Sequence, residues 1–98
     1  MTIEKKLNGN ELTVALSGRL DTTTAPELEQ VIRAELDHVD ALVFDFGKLE
    51  YISSAGLRVL LSAQKTMNKQ GSMTILHPCE VVMEVFEVTG FADILTFA

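Results

Sequence analysis

Cysteine is nearly missing from this chain. Cys79 is the only one in 98 residues, so no internal disulfide can form and the thiol suits a reducing compartment. Basic residues are also scarce, eight Lys and Arg against fourteen Asp and Glu for a net charge of −6, and Lys5, Lys6, Arg19, Arg33, Lys48, Arg58, Lys65 and Lys69 form no run. Such a chain is a poor partner for a polyanion, so no nucleic acid is expected to bind it. No apolar run approaches the length of a membrane span, and the first residues lack a basic stretch followed by an apolar one. Neither a secretory leader nor direct membrane contact is expected, and a cytoplasmic location follows. His38, His77 and Cys79 match no zinc-ligand spacing, and no glycine-rich phosphate loop occurs, so neither a metal nor a cofactor is expected. His77 and Cys79 flank Pro78 before a helix, but with no base or second cysteine in view Cys79 reads as a half-buried turn residue. Repeats and low-complexity segments are absent too.

What is present is ordinary globular composition, 47% hydrophobic and 22% charged, which suits one folded domain over residues 1–98. Thr2 to Leu7 and Glu11 to Gly18 read as strands joined by an Asn8-Gly9 hairpin turn. Leu12, Val14 and Leu16 share one face of the second strand, with Glu11, Thr13 and Ser17 on the other. Thr24 and Glu27 have capping-box spacing with Pro26 in the first turn, and Leu28, Val31, Ile32, Leu36 and Val39 carry a helical stripe that ends near Asp37. Ala41 to Phe46 lacks alternation and reads as a central strand with little water on either face. A second helix spans about Ala55 to Gln70, with Ser54 as its N-cap and Gly71 at a left-handed C′ position. Ser72 to Leu76 is a fourth strand, and Glu80 to Thr89 a third helix with Val82, Val85 and Phe86 inward, closed by Gly90. The apolar tail from Phe91 to Ala98 should pack as a short turn or last strand. The fold class is α/β, with helices one and two on the same face of the sheet.

Two constellations could carry chemistry. Asp21 after strand two and Asp45 in strand three could converge as a phospho-accepting carboxylate pocket, although turn forming and a strand-end carboxylate explain them as well. Ser53-Ser54 precedes a helix, where free amides and the helix dipole favour an added phosphate; the ordinary reading is a cap that contributes about 1 kcal/mol.

Sequence context weighs on that second choice. Leu16-Ser17-Gly18-Arg19-Leu20-Asp21, Val43-Phe44-Asp45-Phe46, Ile52-Ser53-Ser54-Ala55-Gly56-Leu57 and Phe86-Glu87-Val88-Thr89-Gly90-Phe91 together resemble the STAS family, the anti-sigma factor antagonists. The resemblance covers nearly the whole chain. It implies the STAS fold, a single mixed β-sheet of four to five strands with helices packed mainly on one face. It also implies a bacterial anti-sigma factor antagonist that binds an anti-sigma factor serine kinase, frees a sigma factor, is switched off by phosphorylation and is restored by a PP2C-type serine phosphatase. Ser54, two residues before Gly56, is then the phosphorylated residue, and Asp21, Thr22, Ser53, Ser54, Ala55, Gly56, Leu57 and Arg58 form the partner-binding set. Gly56 would let a partner backbone approach, and Leu57 and Tyr51 would be apolar neighbours or core. Such a chain is a binding module and not an enzyme. Two departures stand out: Ser53 occupies a position commonly aspartate, and Arg19 one that is frequently acidic. The chain also stops soon after Phe91, whereas many relatives continue into a further helix. The alternatives are a non-phosphorylated STAS regulatory subunit of an ABC-type lipid transporter or stress-signalling complex, and a receiver using Asp21 and Asp45.

Overall fold

The computed structural model describes residues 1–98. Strands β1 (Thr2–Asn8) and β2 (Glu11–Leu20) form the opening hairpin. Its turn is Gly9-Asn10, one residue later than Asn8-Gly9, because Asn8 already pairs with Glu11. Gly9 takes the positive φ of 63° that the tight turn demands. Helix α1 (Ala25–Glu35), strand β3 (Ala41–Ile52), helix α2 (Ser54–Gln70), strand β4 (Ser72–Leu76), helix α3 (Glu80–Thr89) and a 3₁₀ turn (Phe91–Asp93) follow. The sheet order is β1-β2-β3-β4, antiparallel in the first pair and parallel in the other two.

Strand β3 runs on to Ile52, well past Phe46. Gly47-Lys48 ends the apolar run in the sequence, yet Leu49 and Ile52 turn inward again. A register shift between Ala15 and Ser17 of β2 absorbs the extra β3 residue there, so that Asp45 pairs with Ala15 and Lys48 with Ser17. Strand β2 likewise continues to Leu20, which pairs with Ile52.

Burial is confined to one face of the sheet. Leu12, Val14 and Leu16 of β2, Leu42, Phe44 and Phe46 of β3, and Met73 and Ile75 of β4 are buried on one side, together with Leu28 and Ile32 of α1, Leu57, Leu60, Ala63 and Met67 of α2, and Val82 and Phe86 of α3. The helices therefore share one face, as expected for α1 and α2. Thr13, Ala15, Val43, Asp45 and Thr74 line the opposite face and are only half buried. The expectation of little water on either face of β3 is met on one side only: the strand is central, but Val43 and Asp45 on its other face are half-buried. Val85 is inward only in part, half-buried and packed against the edge of the core. A row of aromatic contacts, Phe44 to Phe46 at 5.6 Å, Phe46 to Phe86 at 6.4 Å and Phe86 to Phe97 at 5.7 Å, ties β3 to α3 and the tail. The tail packs against the β4 edge, where the Ile75 amide donates to Thr96 O and the Ala98 amide donates to Ile75 O.

Gly71 does not adopt the left-handed cap. Its φ of 173° is extended, and glycine is required there for another reason: a Cβ would lie 1.8 Å from Asp40 O. The Ser72 amide donates to that same carbonyl at 3.0 Å, and Gln70 Nε2 donates to Leu36 O and Val39 O, so the end of α2 is locked to the turn before β3. Gly71→Ala is expected to destabilise the fold by about 1–3 kcal/mol through overpacking against rigid backbone. A urea-unfolding midpoint equal to that of the parent chain would contradict this contact.

Candidate functional site

Parallel pairing puts the C-terminal ends of β2 and β3 at one edge of the sheet, so α1 and α2, which follow these strands, both begin there. Asp21 shapes the first of the two connections. Its Oδ1 accepts from the Thr23 amide at 3.0 Å, the Thr23 hydroxyl at 2.7 Å and the Thr24 amide at 3.2 Å. The expected capping box does not form: Thr24 Oγ1 accepts from the Asp21 amide at 2.8 Å and donates to Arg19 O at 2.9 Å, leaving no side-chain cap on α1. The Asp21 carboxylate closes an Asx turn onto Thr23 and Thr24 instead, and the Glu27 amide donates to the Thr24 carbonyl at 3.1 Å. The Thr23 hydroxyl, then the Thr23 and Thr24 amides, hold the Asp21 carboxyl below its usual 3.8. Arg19 stacks its guanidinium 4.3 Å over the Tyr51 ring on the neighbouring strand and places Nε 3.9 Å from Asp21 Oδ2.

The second connection separates the two serines. Ser53, not Ser54, is the N-cap residue. Its amide donates to Leu20 O at 2.9 Å and its carbonyl accepts from Leu57 at 3.0 Å, while its Oγ is buried with no hydrogen-bond partner in the chain. Ser54 is the first residue of α2 and is exposed. The first turn of α2 holds no acidic residue, so its free amides meet no local carboxylate. Gly56 is buried, and a Cβ there would lie 2.7 Å from Leu20 Cγ and 2.9 Å from Ile52 Cγ1. It seats α2 on the strand ends and does not open a path for a partner's backbone. Leu57, 5% exposed, belongs to the core.

Between the two helix starts lies a groove of about 340 Å³ lined by Thr22, Ala25, Pro26, Glu29, Ala55, Arg58 and Val59. Thr22, Ala55 and Arg58 of the expected set meet there. Ala25, Pro26, Glu29 and Val59 were missed, because only the side-by-side placement of α1 and α2 brings them in.

Asp45 is elsewhere. It pairs with Ala15, five β2 residues before Leu20, or roughly 17 Å along the strand from the loop that holds Asp21. The two carboxylates do not converge, which overturns the receiver alternative. Asp45 Oδ1 instead accepts from the Gly47 amide at 2.9 Å and lies 3.4 Å from His77 Nδ1. The Gly47 amide foremost, then His77 and Lys48, hold its carboxyl below 3.8.

The family model described as "Mlab, STAS domain" matches residues 3–96. This chain is a STAS domain of the anti-sigma factor antagonist family. It is 38% identical over 89 residues to BtrV of Bordetella bronchiseptica, named as an anti-sigma factor antagonist, with 89% of this chain and 77% of BtrV covered. The crystal structure of an anti-sigma factor antagonist from Mycobacterium paratuberculosis superposes with a TM-score of 0.88 at 27% identity, covering 98% of this chain and 83% of that one. SpoIIAA of Bacillus shares the fold at lower identity. Its unphosphorylated form gives a TM-score of 0.84 at 19% identity over 99% of this chain and 88% of that one. Its phosphorylated form gives 0.78 at 18% over 99% and 91%.

In this STAS domain, Asp21 and Asp45 give stability a defined pH dependence. A carboxyl whose folded value is depressed contributes stability that is fully present above its unfolded value, near 3.8, and is lost as pH falls through the folded value. Urea midpoints of the parent chain should therefore decline below about pH 4, and those of the Asp21→Asn, Asp45→Asn double variant should decline less. Parallel declines would show that these bonds do not depress the two carboxyls.

Proposed function

We propose that this STAS domain is an anti-sigma factor antagonist whose groove at the α1 and α2 starts binds an anti-sigma factor serine kinase, releasing a sigma factor, and that phosphorylation of Ser54 switches it off. The observation that carries this reading is the division of the serine pair. Ser54 presents its hydroxyl to solvent at the head of α2, whereas the Ser53 Oγ is enclosed. A kinase can reach the first and not the second.

The surroundings suit a phosphate that is held without refolding. The free amides of the first turn of α2 favour an anion. Arg58 lies one turn on, at i+4, is exposed, and forms no ion pair within the chain. Helical side chains lean toward the N-terminus, so its guanidinium can reach back toward residue 54. The added charge of about −1.5 to −2 then stands beside the groove, where it opposes a partner by repulsion and by the cost of desolvation. In this scheme the chain supplies only the acceptor hydroxyl. The kinase brings ATP, Mg²⁺ and base, and a PP2C-type phosphatase in the cytoplasm reverses the mark.

Incubation with the serine kinase encoded nearest to it in its genome, ATP and Mg²⁺ should place one phosphate on Ser54 by peptide mass mapping, and none on Ser54→Ala. Ser54→Asp should lose partner binding while folding stability changes by less than about 1 kcal/mol, because a carboxylate is favourable in a first helical turn. Absence of phosphate with every co-encoded serine kinase, together with co-purification with a transporter ATPase, would overturn the switch in favour of the non-phosphorylated regulatory subunit.

A further inference from the structure

Helix α3 turns an unusual face to solvent. Val82 and Phe86 pack into the core, but Val81, Val85 and Val88, spaced i, i+4 and i+7, form a second apolar stripe in which Val85 is half-buried against the core and Val81 and Val88 are exposed. Val88 is 82% exposed and Val81 50%, and a shallow groove of about 240 Å³ runs along them, lined by Val81, Glu84, Val85, Val88 and Thr89. The one hydroxyl in this lining is withdrawn, since Thr89 Oγ1 donates back to Val85 O at 2.7 Å. Along one rim stand Glu80, Glu84 and Glu87, again at i, i+4 and i+7 and all exposed. No Lys or Arg occurs anywhere in Glu80–Thr89.

We propose that this stripe is a second protein-docking surface, and that its occupant is an amphipathic helix with an apolar stripe flanked on one side by a row of Lys or Arg. Contiguous apolar side chains left in water at helical spacing fit the apolar face of another helix. The glutamate row sets the sign of the partner's flank, because an uncompensated row at the edge of an apolar contact opposes any partner that is neutral or acidic there. A second copy does not meet that requirement. Its own α3 offers glutamates and no cation, and in an antiparallel pair the two acidic rows fall on the same side. An anionic lipid surface is disfavoured for the same reason. The surface is separate from the groove beside Ser54 and stands whether or not Ser54 is phosphorylated.

The test uses the full chain and two dye-labelled synthetic peptides of about 18 residues, long enough to hold a helix. Both carry a leucine stripe at i, i+4 and i+7, one beside a lysine row and the other beside a glutamate row. Fluorescence anisotropy should show the lysine peptide binding at least about tenfold more tightly, with Val88→Asp weakening it at least about tenfold. Glu84→Lys with Glu87→Lys should reverse the preference, and Ser54→Asp should leave it unchanged. Equal affinity for the two peptides, no binding of either, or lysine-peptide binding that survives Val88→Asp would overturn the proposal. So would a concentration-dependent dimer, or binding to phosphatidylglycerol vesicles, that Val88→Asp abolishes.

Discussion

A four-stranded sheet that buries only one of its faces is the constraint from which the rest of this molecule follows. The apolar side chains of β2, β3 and β4 point to one side, and every helix must come back to that side to cover them. Two successive strand-helix-strand crossovers over one face, with all strands of the crossovers parallel, leave α1 and α2 starting next to each other at a single sheet edge. The groove between these helix starts is thus a product of topology, and its residues are drawn from both connections. Its floor is shared with the core, since Ala25 and Val59 line the groove and also belong to the buried cluster, while Thr22, Glu29 and Arg58 supply its polar side chains.

Close approach then makes the edge rigid. Gly56 lets α2 settle onto Leu20 and Ile52, and the Ser53 amide bonds to Leu20 O, so the end of β2 and the start of α2 move as one piece. Asp21 fixes the next residues of the same connection with three hydrogen bonds to a single carboxylate oxygen. The residues of the expected contact set therefore divide by burial. Asp21, Ser53, Gly56 and Leu57 shape and support the edge, while Thr22, Ser54 and Arg58 are exposed and Ala55 is half-buried. A motif that is contiguous in sequence need not be contiguous on the surface.

The sequence carried most of the architecture because apolar periodicity is a direct record of one-sided burial. Leu12, Val14 and Leu16 mark their face, and the stripes of α1 and α2 mark theirs. It failed where a local signal had two physical causes. Gly47 and Lys48 looked like a strand end, but Phe46-Gly47 bulges opposite Leu16 and Lys48 pairs again with Ser17 within β3. Gly71 looked like a left-handed cap but is needed to clear the Asp40 carbonyl. Thr24 had the spacing of a cap, yet its hydroxyl is taken up by the Asp21 amide and the Arg19 carbonyl, and the Glu27 amide turns to the Thr24 carbonyl. At the site, the serine pair was visible, but periodicity cannot say which of two adjacent hydroxyls faces out. A one-residue shift of the cap, from Ser54 to Ser53, decides that, and it depends on the Leu20 carbonyl, which lies far away in the chain. Residue 54 was reached through family resemblance, and packing adds that it is the exposed member of the pair.

The stripe on α3 was misread for a related reason. Val82, Val85 and Phe86 all fit an inward face at helical spacing, but a helix that covers one edge of a narrow sheet has room for only two of them in the core. Val85 is left half-buried at the core edge, and Val81 and Val88 stand in water beside a row of acids, an arrangement that neither folding nor solubility requires. The two surfaces differ in physical character. The groove beside Ser54 is mixed, with Thr22, Glu29 and Arg58 set among Ala25, Pro26, Ala55 and Val59, and on the proposed reading its affinity is set by one removable charge. The α3 stripe is apolar, with fixed carboxylates on its rim. Surface electrostatics are screened over roughly 8 Å at physiological ionic strength, so a charge added at one contact can be felt there without altering another beyond that range. A small domain with a rigid sheet edge can in this way release one partner while holding a second, provided the two contacts rest on different interactions.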